Sequence, residues 1–472
     1  MDLVDRVKAL ATRMAGEIKA VRLEIGSGGA PRGVITYDAP IEAGTVFTSV
    51  LPEGVISADR QWTLDEANIP GETGETYTAT AAGSLKALGC KLSNPVYAAV
   101  SIDMPEIDTA EIVIVSLPIW SATLNAVRAG ERNGRIMVFG DSIPRGYYTG
   151  GINGFGNDEA SKNLTALLAD KITADTTFFA SSNSLVGNGN MGAVAASDYD
   201  ARITDGTGWD NTEVYDDAGM TTGAYNLCIV GAGRTPLTFA PDHQTDTIEI
   251  YYPRAPYLAG DGFNVDLVAG GAVTFLDAYN ATATFQKTTV TRAKGTNVWR
   301  LTPASSDMTF LAGFVAYDST KKEITILNAS WSGGGILDHA SSANSGLPLV
   351  GIDVFDPDLG IIIPSGNDIL AGATEASYKA ALNALIDKLQ SLNSDALVVL
   401  PPPAAPAMGS MTNLRTWSTT VAAAQGVPMI DLFDVFDYED AVAAGWYAPD
   451  GVHVIGAGQA AMSDFIFARI MP

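Results

Sequence analysis

Near its middle the chain reads Ile136-Met137-Val138-Phe139-Gly140-Asp141-Ser142-Ile143, an apolar run followed at once by glycine and two polar residues. A short, continuous apolar run bounded by turn residues is typical of a strand buried on both faces, as in a parallel sheet. Ser142 would then lie just beyond the carboxyl end of this strand, the edge where open α/β sheets bind ligands. The stretch therefore predicts an α/β domain with Ser142 in its ligand-binding region.

A carboxylate and a histidine stand three residues apart in Asp450-Gly451-Val452-His453, close to the C-terminus. A serine hydroxyl is a poor nucleophile until a base takes its proton, and the base needs a partner that fixes its tautomer. On one tight turn, Asp450 reaches Nδ1 of His453 and leaves Nε2 free for Ser142. The sequence has only three histidines, so this spacing is informative. We predict a catalytic triad of Ser142, His453 and Asp450.

Two other apolar runs also end in polar turns. Residues 355–364 lead into Ser365-Gly366-Asn367-Asp368, and residues 323–327 lead into the turn 328–335, which contains Gly333. Acyl transfer needs donors where negative charge develops on the carbonyl oxygen. The backbone N–H groups of Ser142 and Gly333 and the side-chain NH₂ of Asn367 are predicted to form this oxyanion hole. Gly187 also follows a strand-like run and is the alternative to Gly333.

In content and order these motifs resemble those of the SGNH (GDSL-type) hydrolases. The family's functional residues carry over to Ser142, Gly333, Asn367, Asp450 and His453. The resemblance implies a three-layer α/β/α (flavodoxin-like) hydrolase core that uses no cofactor. Two positions depart from the family pattern: Ser365 replaces a glycine, and Val454 replaces the proline that often follows the histidine. Neither departure is expected to touch a catalytic atom.

The hydrolase core is predicted to be interrupted. About 190 residues separate Ser142 from Gly333, whereas the family needs a few dozen. We assign the hydrolase domain to residues 130–182 and 326–472, with a helix at 159–172 and a strand at 176–180. Alternating patterns between turn residues predict an inserted β-sandwich over 183–325 that is a candidate carbohydrate-binding module. Its aromatic residues Tyr252, Tyr257 and Trp299 either hold a polymeric substrate or belong to the core of the insert.

Before the hydrolase domain, residues 32–104 read as short strands and resemble an N-terminal Ig-like β-sandwich, with residues 105–129 as a linker. An inward Trp62 facing the strand of Cys90 fits such a core. In residues 1–29, apolar positions at steps of three and four predict a helix, either a short coiled coil or a helix packed on its own chain. Such a leader resembles phage or prophage tail proteins, so a homo-oligomer and virion tail proteins are candidate partners.

Composition limits the function classes. The 472-residue chain has a formal net charge of -25, which disfavours nucleic acid as a partner because that affinity rests on cationic contacts to phosphate. No apolar run is long enough for a membrane span, and charges near the N-terminus argue against a signal peptide. Cys90 and Cys228 imply no disulfide framework, and no metal-ligand spacing is visible. His243 and His339 carry no motif and are interpreted as structural.

Together these features predict a serine esterase that hydrolyses ester groups. The resemblances point to O-acetyl groups on a cell-surface polysaccharide, and the acidic chain favours a neutral polymer. A lipid or thioester hydrolase on the same triad is one alternative, and a carbohydrate-binding tail component with an inactive hydrolase domain is another. The protein is expected to be made in the cytoplasm and to act at a host cell surface as part of a virion tail.

Overall fold

The structure is a computed structural model. It describes the strands given below together with Thr73 and residues 117–149, 160–184, 199–204, 235–256, 260–282, 284–304, 309–330, 332–340, 347–404, 411–433, 436 and 438–471. The chain divides into two compact units, one of residues 1–115 with Pro472 and one of residues 116–471.

The strands of the first unit are β1 (Lys19–Val21), β2 (Val34–Tyr37), β3 (Val46–Val50), β4 (Asp59–Leu64), β5 (Ala67–Asn68), β6 (Thr76–Thr78), β7 (Leu88–Asn94) and β8 (Tyr97–Asp103). They form two antiparallel sheets, with strand orders β1-β2-β3-β6 and β5-β4-β7-β8.

Two expectations for this unit need correction. Lys19–Val21 pairs with β2 as a strand, whereas a helix was predicted over 1–29, and the other residues of that helix lie outside the described part. Trp62 and Cys90 are register partners on neighbouring strands of one sheet and do not face each other across two sheets. The packing of the two sheets rests on side chains outside the described set, so the Ig-like sandwich stays a prediction.

The second unit holds the remaining elements. Its helices are α1 (Pro118–Arg128), α2 (Ser142–Arg145), α3 (Leu164–Asp175), α4 (Ile336–Ala340), α5 (Leu347–Phe355), α6 (Gly366–Leu370), α7 (Glu375–Ser391), α8 (Thr412–Gln425), α9 (Tyr438–Ala443) and α10 (Ala457–Ile470). Its strands are β9 (Gly134–Phe139), β10 (Ala180–Ser184), β11 (Ile203–Thr204), β12 (Trp209–Asp210), β13 (Asp216–Asp217), β14 (Met220–Thr221), β15 (Leu227–Ile229), β16 (Leu237–Phe239), β17 (Thr245–Arg254), β18 (Gly262–Leu267), β19 (Thr274–Asp277), β20 (Thr284–Gly295), β21 (Trp299–Pro303), β22 (Thr309–Leu311), β23 (Gly313–Tyr317), β24 (Ile324–Asn328), β25 (Leu359–Ile362), β26 (Asp395–Leu400) and β27 (Met429–Asp431).

A six-stranded sheet organises the hydrolase part of this unit. Its order is β10-β24-β9-β25-β26-β27, and every neighbouring pair is parallel. Strand β9 therefore lies inside the sheet, between the strands that precede the two other polar turns. Because parallel strands end at one edge, this order brings the turns after β9, β24 and β25 side by side.

Helices cover both faces of this sheet. On one face, Met137 and Phe139 share a core with Leu382 and Leu385 of α7. On the other, Trp120 of α1 is fully buried; its backbone N–H donates to Asp395 Oδ2 and its indole N–H to the Ile470 carbonyl of α10. The result is a three-layer α/β/α arrangement.

The elements around the interruption differ from the prediction. Residues 105–129 were predicted to be a linker, but they contain helix α1. This helix belongs to the hydrolase part, because its apolar face is buried against the sheet. The helix predicted over 159–172 is α3, which starts after Asn163, whose side chain accepts the Ala166 N–H, and continues to Asp175. Strand β10 consequently begins at Ala180 and lies at the sheet edge, with β24 between it and β9.

The insert between β10 and β24 is built from antiparallel sheets. One has the order β11-β16-β21-β18-β19 and a second has β20-β17-β23; smaller sheets are β12-β15-β22 and β13-β14. The two larger sheets share one hydrophobic core. Tyr252 and Trp299 are fully buried in that core, so neither can hold a substrate, and Tyr257 lies outside the described residues.

The insert docks on the hydrolase part by the other face of β17. Arg135, near the amino end of β9, donates to Glu249 Oε1 at 2.6 Å and to the Phe355 carbonyl at 2.9 Å. Tyr251 donates to Glu249 Oε2 at 2.6 Å, and Lys287 lies 3.4 Å from Oε1. Burial alone would raise the pKa of Glu249, but these hydrogen bonds and positive charges outweigh it and lower the pKa. The contacts that hold the insert on the hydrolase part therefore lie at the amino end of β9.

Candidate active site

The turn after β9 fixes the serine. Asp141 is the N-cap of α2, and its Oδ1 accepts the Ile143 N–H at 2.8 Å. Ser142 is the first residue of α2 and is 9% exposed. A Cβ at Gly140 would come 2.4 Å from Pro144 Cγ, so only glycine allows the chain to turn this tightly. The sharp turn presents the hydroxyl of Ser142 at the carboxyl edge of the sheet.

The structure brings the three predicted triad side chains together. His453 Nε2 lies 2.8 Å from Ser142 Oγ, and His453 Nδ1 lies 2.6 Å from Asp450 Oδ2. These separations are within hydrogen-bond reach, although 311 positions separate the serine from the histidine.

The charge of Asp450 determines the tautomer of His453. Burial would raise the pKa of Asp450, but its bonds from the Val452 N–H and from the ring and backbone N–H of His453 lower the pKa overall. An ionised carboxylate only accepts hydrogen bonds, so Nδ1 of His453 carries the proton. Nε2 is then free to accept the hydroxyl proton of Ser142, which is what a general base requires.

The turn after β24 is tied to the serine helix. Asn328 donates from Nδ2 to the Pro144 carbonyl at 2.8 Å, and its Oδ1 accepts the Ser330 N–H at 3.0 Å. Gly333 follows with a φ of 82°, a left-handed value suited to glycine. Gly187, the alternative oxyanion-hole residue, lies outside the described residues.

Asn367 lies next to this turn. Its Nδ2 donates to the Gly334 carbonyl at 3.0 Å, and its backbone N–H donates to Ser365 Oγ at 3.0 Å. Since an amide NH₂ carries two hydrogens, one remains for another acceptor. The structure thus places Asn367 beside the Gly333 loop.

Ser365 has a role that the sequence analysis missed. Its hydroxyl donates to Asp141 Oδ2 at 2.7 Å while accepting from the Asn367 N–H. Ser365 therefore links the N-cap of the serine helix to the turn of Asn367. The sequence did contain an indication of this role, because Ser365 places a hydroxyl where the family pattern has a glycine.

Asp368 holds the third turn against the second. Its carboxylate accepts the Ile336 and Leu337 N–H groups at the start of α4, at 2.8 and 3.1 Å. A Cβ at Gly335 would come 2.2 Å from Asp368 Oδ1, so glycine is required there. Burial raises the pKa of Asp368 to about 6, against the effect of the two N–H bonds.

His339 contacts the turn that precedes Ser142. The sequence analysis interpreted this histidine as structural but did not predict its partner. It is fully buried, and its Nε2–H donates to the Gly140 carbonyl at 2.8 Å. Burial lowers its pKa, which keeps the ring neutral. A lone histidine in a helix gives no sequence signal for a contact across 199 positions.

In the described ranges, no group of three or more His, Cys, Asp or Glu side chains could hold a metal ion. A cavity of about 230 Å³ is lined in part by Met411. The Met411 side chain packs against Gly366, the residue before Asn367. No helix among the described elements is long and apolar enough to cross a membrane.

Comparison with known proteins supports the family. Residues 302–461 match the model of the GDSL-like Lipase/Acylhydrolase family, a region that includes Gly333, Asn367, Asp450 and His453. The matched segment, about a third of the chain, is similar to GDSL-type lipases and acylhydrolases, which supports an esterase or acylhydrolase activity. A search of curated proteins finds no match.

Solved structures show partial similarity. A lipase/acylhydrolase from Enterococcus faecalis is 20% identical, with a TM-score of 0.26 over 31% of this chain and 77% of that chain. A family two carbohydrate esterase from Clostridium thermocellum in complex with cellohexaose is 12% identical, with a TM-score of 0.27 over 57% of this chain and 98% of that chain. An acetyl-xylooligosaccharide esterase from Geobacillus stearmophilus is 18% identical, with a TM-score of 0.26 over 32% of this chain and 74% of that chain.

Proposed function

We propose that the protein is a serine esterase with a Ser142–His453–Asp450 triad. The observation that carries the proposal is the continuous line of hydrogen bonds from Asp450 Oδ2 through both ring nitrogens of His453 to Ser142 Oγ. The three groups come from two motifs at opposite ends of the unit. A structural role would need neither this order nor a hydroxyl at the base nitrogen.

The reaction follows from these positions. His453 Nε2 takes the hydroxyl proton as Ser142 Oγ attacks the ester carbonyl. The tetrahedral oxyanion is stabilised by N–H groups of Ser142 and Gly333 and by the second hydrogen of Asn367 Nδ2. Nε2–H then protonates the departing alcohol, leaving an acyl group on Oγ. Water, deprotonated by His453, releases the acid and restores the serine.

The proposed substrate is a cell-surface polysaccharide that carries O-acetyl groups. A net charge of -25 disfavours a strongly anionic polymer, so a neutral or acetylated glycan suits this chain better. Two of the similar structures are named as a carbohydrate esterase and an acetyl-xylooligosaccharide esterase, and these names also refer to esters of carbohydrates.

The test is Ser142→Ala, measured as acetate released from an O-acetylated neutral polysaccharide. Removing a serine nucleophile should lower kcat by about 10⁴-fold or more. The matched control is Ser391→Ala, at an exposed helix end, which should retain wild-type activity. Equal activity of Ser142→Ala and the wild type would overturn the catalytic proposal and leave a binding role.

The alternative hydrolase functions are separated by acyl-chain length. Nitrophenyl esters of short and long acids should be hydrolysed in favour of the short acid if acetyl groups are the substrate. A preference for long chains would instead identify a lipid or thioester hydrolase on the same triad.

We further propose that the N-terminal segment attaches the protein to a larger assembly, such as a virion tail. The mass in solution of the full chain and of a chain lacking residues 1–29 tests this. An unchanged oligomeric state would exclude the segment as an oligomerisation element.

A further inference from the structure

Two tyrosines follow the serine helix and lie against the catalytic histidine. Helix α2 ends at Arg145 and is followed by Gly146, with a φ of 95°, and the Tyr147 N–H donates back to the Ser142 carbonyl at 3.0 Å. The ring centroids of Tyr147 and Tyr148 lie 4.6 and 5.4 Å from that of His453, and 4.5 Å from each other. Both tyrosines are partly exposed. They form an open aromatic wall beside the imidazole.

The backbone of Tyr148 is in an unfavourable conformation. Its φ is 71°, and the other non-glycine residues with positive φ in the described part are Asp356 and Asn393. Asp and Asn tolerate the left-handed region, whereas a bulky side chain such as tyrosine is disfavoured there. Strain of this kind persists where a site requires a particular side-chain position. The position of the Tyr148 ring therefore calls for a functional explanation.

The chemistry at His453 indicates what occupies the space beside the wall. The leaving oxygen must come within hydrogen-bond reach of His453 Nε2 to receive its proton. The alcohol attached to that oxygen therefore lies next to the imidazole. Since both tyrosine rings pack against the imidazole, they border the alcohol part of the ester.

On this geometry we propose that Tyr147 and Tyr148 form a leaving-group subsite for the ring of a pyranose sugar. A pyranose has an apolar C–H face that covers an aromatic ring and polar groups at its rim that match a phenol hydroxyl. A short alkyl alcohol covers far less of the wall. The inference rests on the proposed esterase function and adds the residues that select a sugar alcohol.

The experiment compares two acetate esters whose alcohols differ in the sugar ring. Acetate release is measured from a mono-O-acetylated methyl glucoside and from ethyl acetate with the wild type, Tyr148→Phe, Tyr148→Leu and Tyr148→Gly. We expect the ratio of the two kcat/KM values, glucoside over ethyl acetate, to fall about tenfold in Tyr148→Leu and Tyr148→Gly. Tyr148→Phe keeps the ring and should retain most of the ratio.

Stability separates this role from a structural one. Glycine relieves the strained φ, so Tyr148→Gly should melt at or above the temperature of Tyr148→Leu while showing the same loss of ratio. Tyr279→Leu, at an exposed tyrosine of the insert, is the matched control and should leave the ratio unchanged.

Each failure has a distinct result. An unchanged ratio in Tyr148→Leu, or an equal loss on both esters, would overturn the sugar subsite and leave the tyrosines as supports for His453. A wild type that hydrolyses ethyl acetate but not the glucoside would do the same. The absence of any Ser142-dependent hydrolysis of either ester would instead overturn the proposed function.

Discussion

The two ends of strand β9 carry polar clusters of opposite character. At the carboxyl end, the side chains of His453 and Asp450 are 15% and 31% exposed, and the line of hydrogen bonds ends at the Ser142 hydroxyl. At the amino end, Arg135 and Glu249 are 17% and 4% exposed and are bound on several sides. The same sheet thus separates the proposed catalytic cluster from a cluster that joins the insert. Substitutions at the two ends should therefore affect different properties.

The largest expected effect is at the carboxyl end. Asp450→Asn keeps the shape of the side chain but removes the carboxylate that fixes the tautomer of His453. Esterase kcat should fall by about 10³- to 10⁴-fold with little change in melting temperature. Asp353→Asn, at an exposed ion pair, is the matched control. Activity within about tenfold of the wild type would show that Asp450 does not support the base.

The second effect is at the amino end and concerns stability. Arg135→Met leaves Glu249 buried with fewer partners, and breaking a buried ion pair costs about 3–5 kcal/mol. Denaturant unfolding should show this loss, while kcat of the folded protein stays near that of the wild type. Arg300→Met, at a more exposed ion pair with Asp266, should lower stability much less. A large fall in kcat with unchanged stability would contradict the division between the two ends.

The third effect is a pH dependence of stability at Glu323, which precedes β24 and is seen only when the pH is varied. Burial raises the pKa of Glu323 to about 8 from an ordinary value of 4.5. The folded protein then holds a proton that the unfolded chain has lost, so stability falls as pH rises from about 4.5 to 8. Glu323→Gln cannot ionise, so the wild type should lose up to about 4 kcal/mol of stability relative to this variant between pH 5 and pH 9.

Unfolding at several pH values measures this difference, with Glu375→Gln on an exposed helix position as control. Parallel stability curves for Glu323→Gln and the wild type would mean that Glu323 ionises normally in the fold.

The carboxyl end was largely predictable and the amino end was not. Ser142, Asp450 and His453 carry their chemistry in short local spacings, and an apolar run before a polar turn predicts a strand end. Arg135 and Glu249 lie more than a hundred positions apart and follow no spacing, because their contact depends on how the insert docks. A single sequence shows that two such charges exist and not that they meet.

Local structure also limited the prediction in places. Strand β10 was predicted to begin at Thr176, but the last turn of α3 continues through Asp175, and the Ala180 N–H donates to Thr173 Oγ1. Strand propensity does not register such a contact from a preceding helix. The φ of Tyr148 is likewise invisible, since nothing in a tyrosine residue suggests a left-handed backbone.

The distance of 311 positions between Ser142 and His453 has a consequence for biosynthesis. At about 5–20 residues per second, ribosomes need roughly 15–60 s to extend the chain from the serine to the histidine. Throughout that interval Ser142 lacks its proposed base, so on the proposed mechanism the nascent chain cannot attack esters. The insert, with a hydrophobic core of its own, can assemble during the same delay, and the proposed triad is complete only after residues 450–453 have been made.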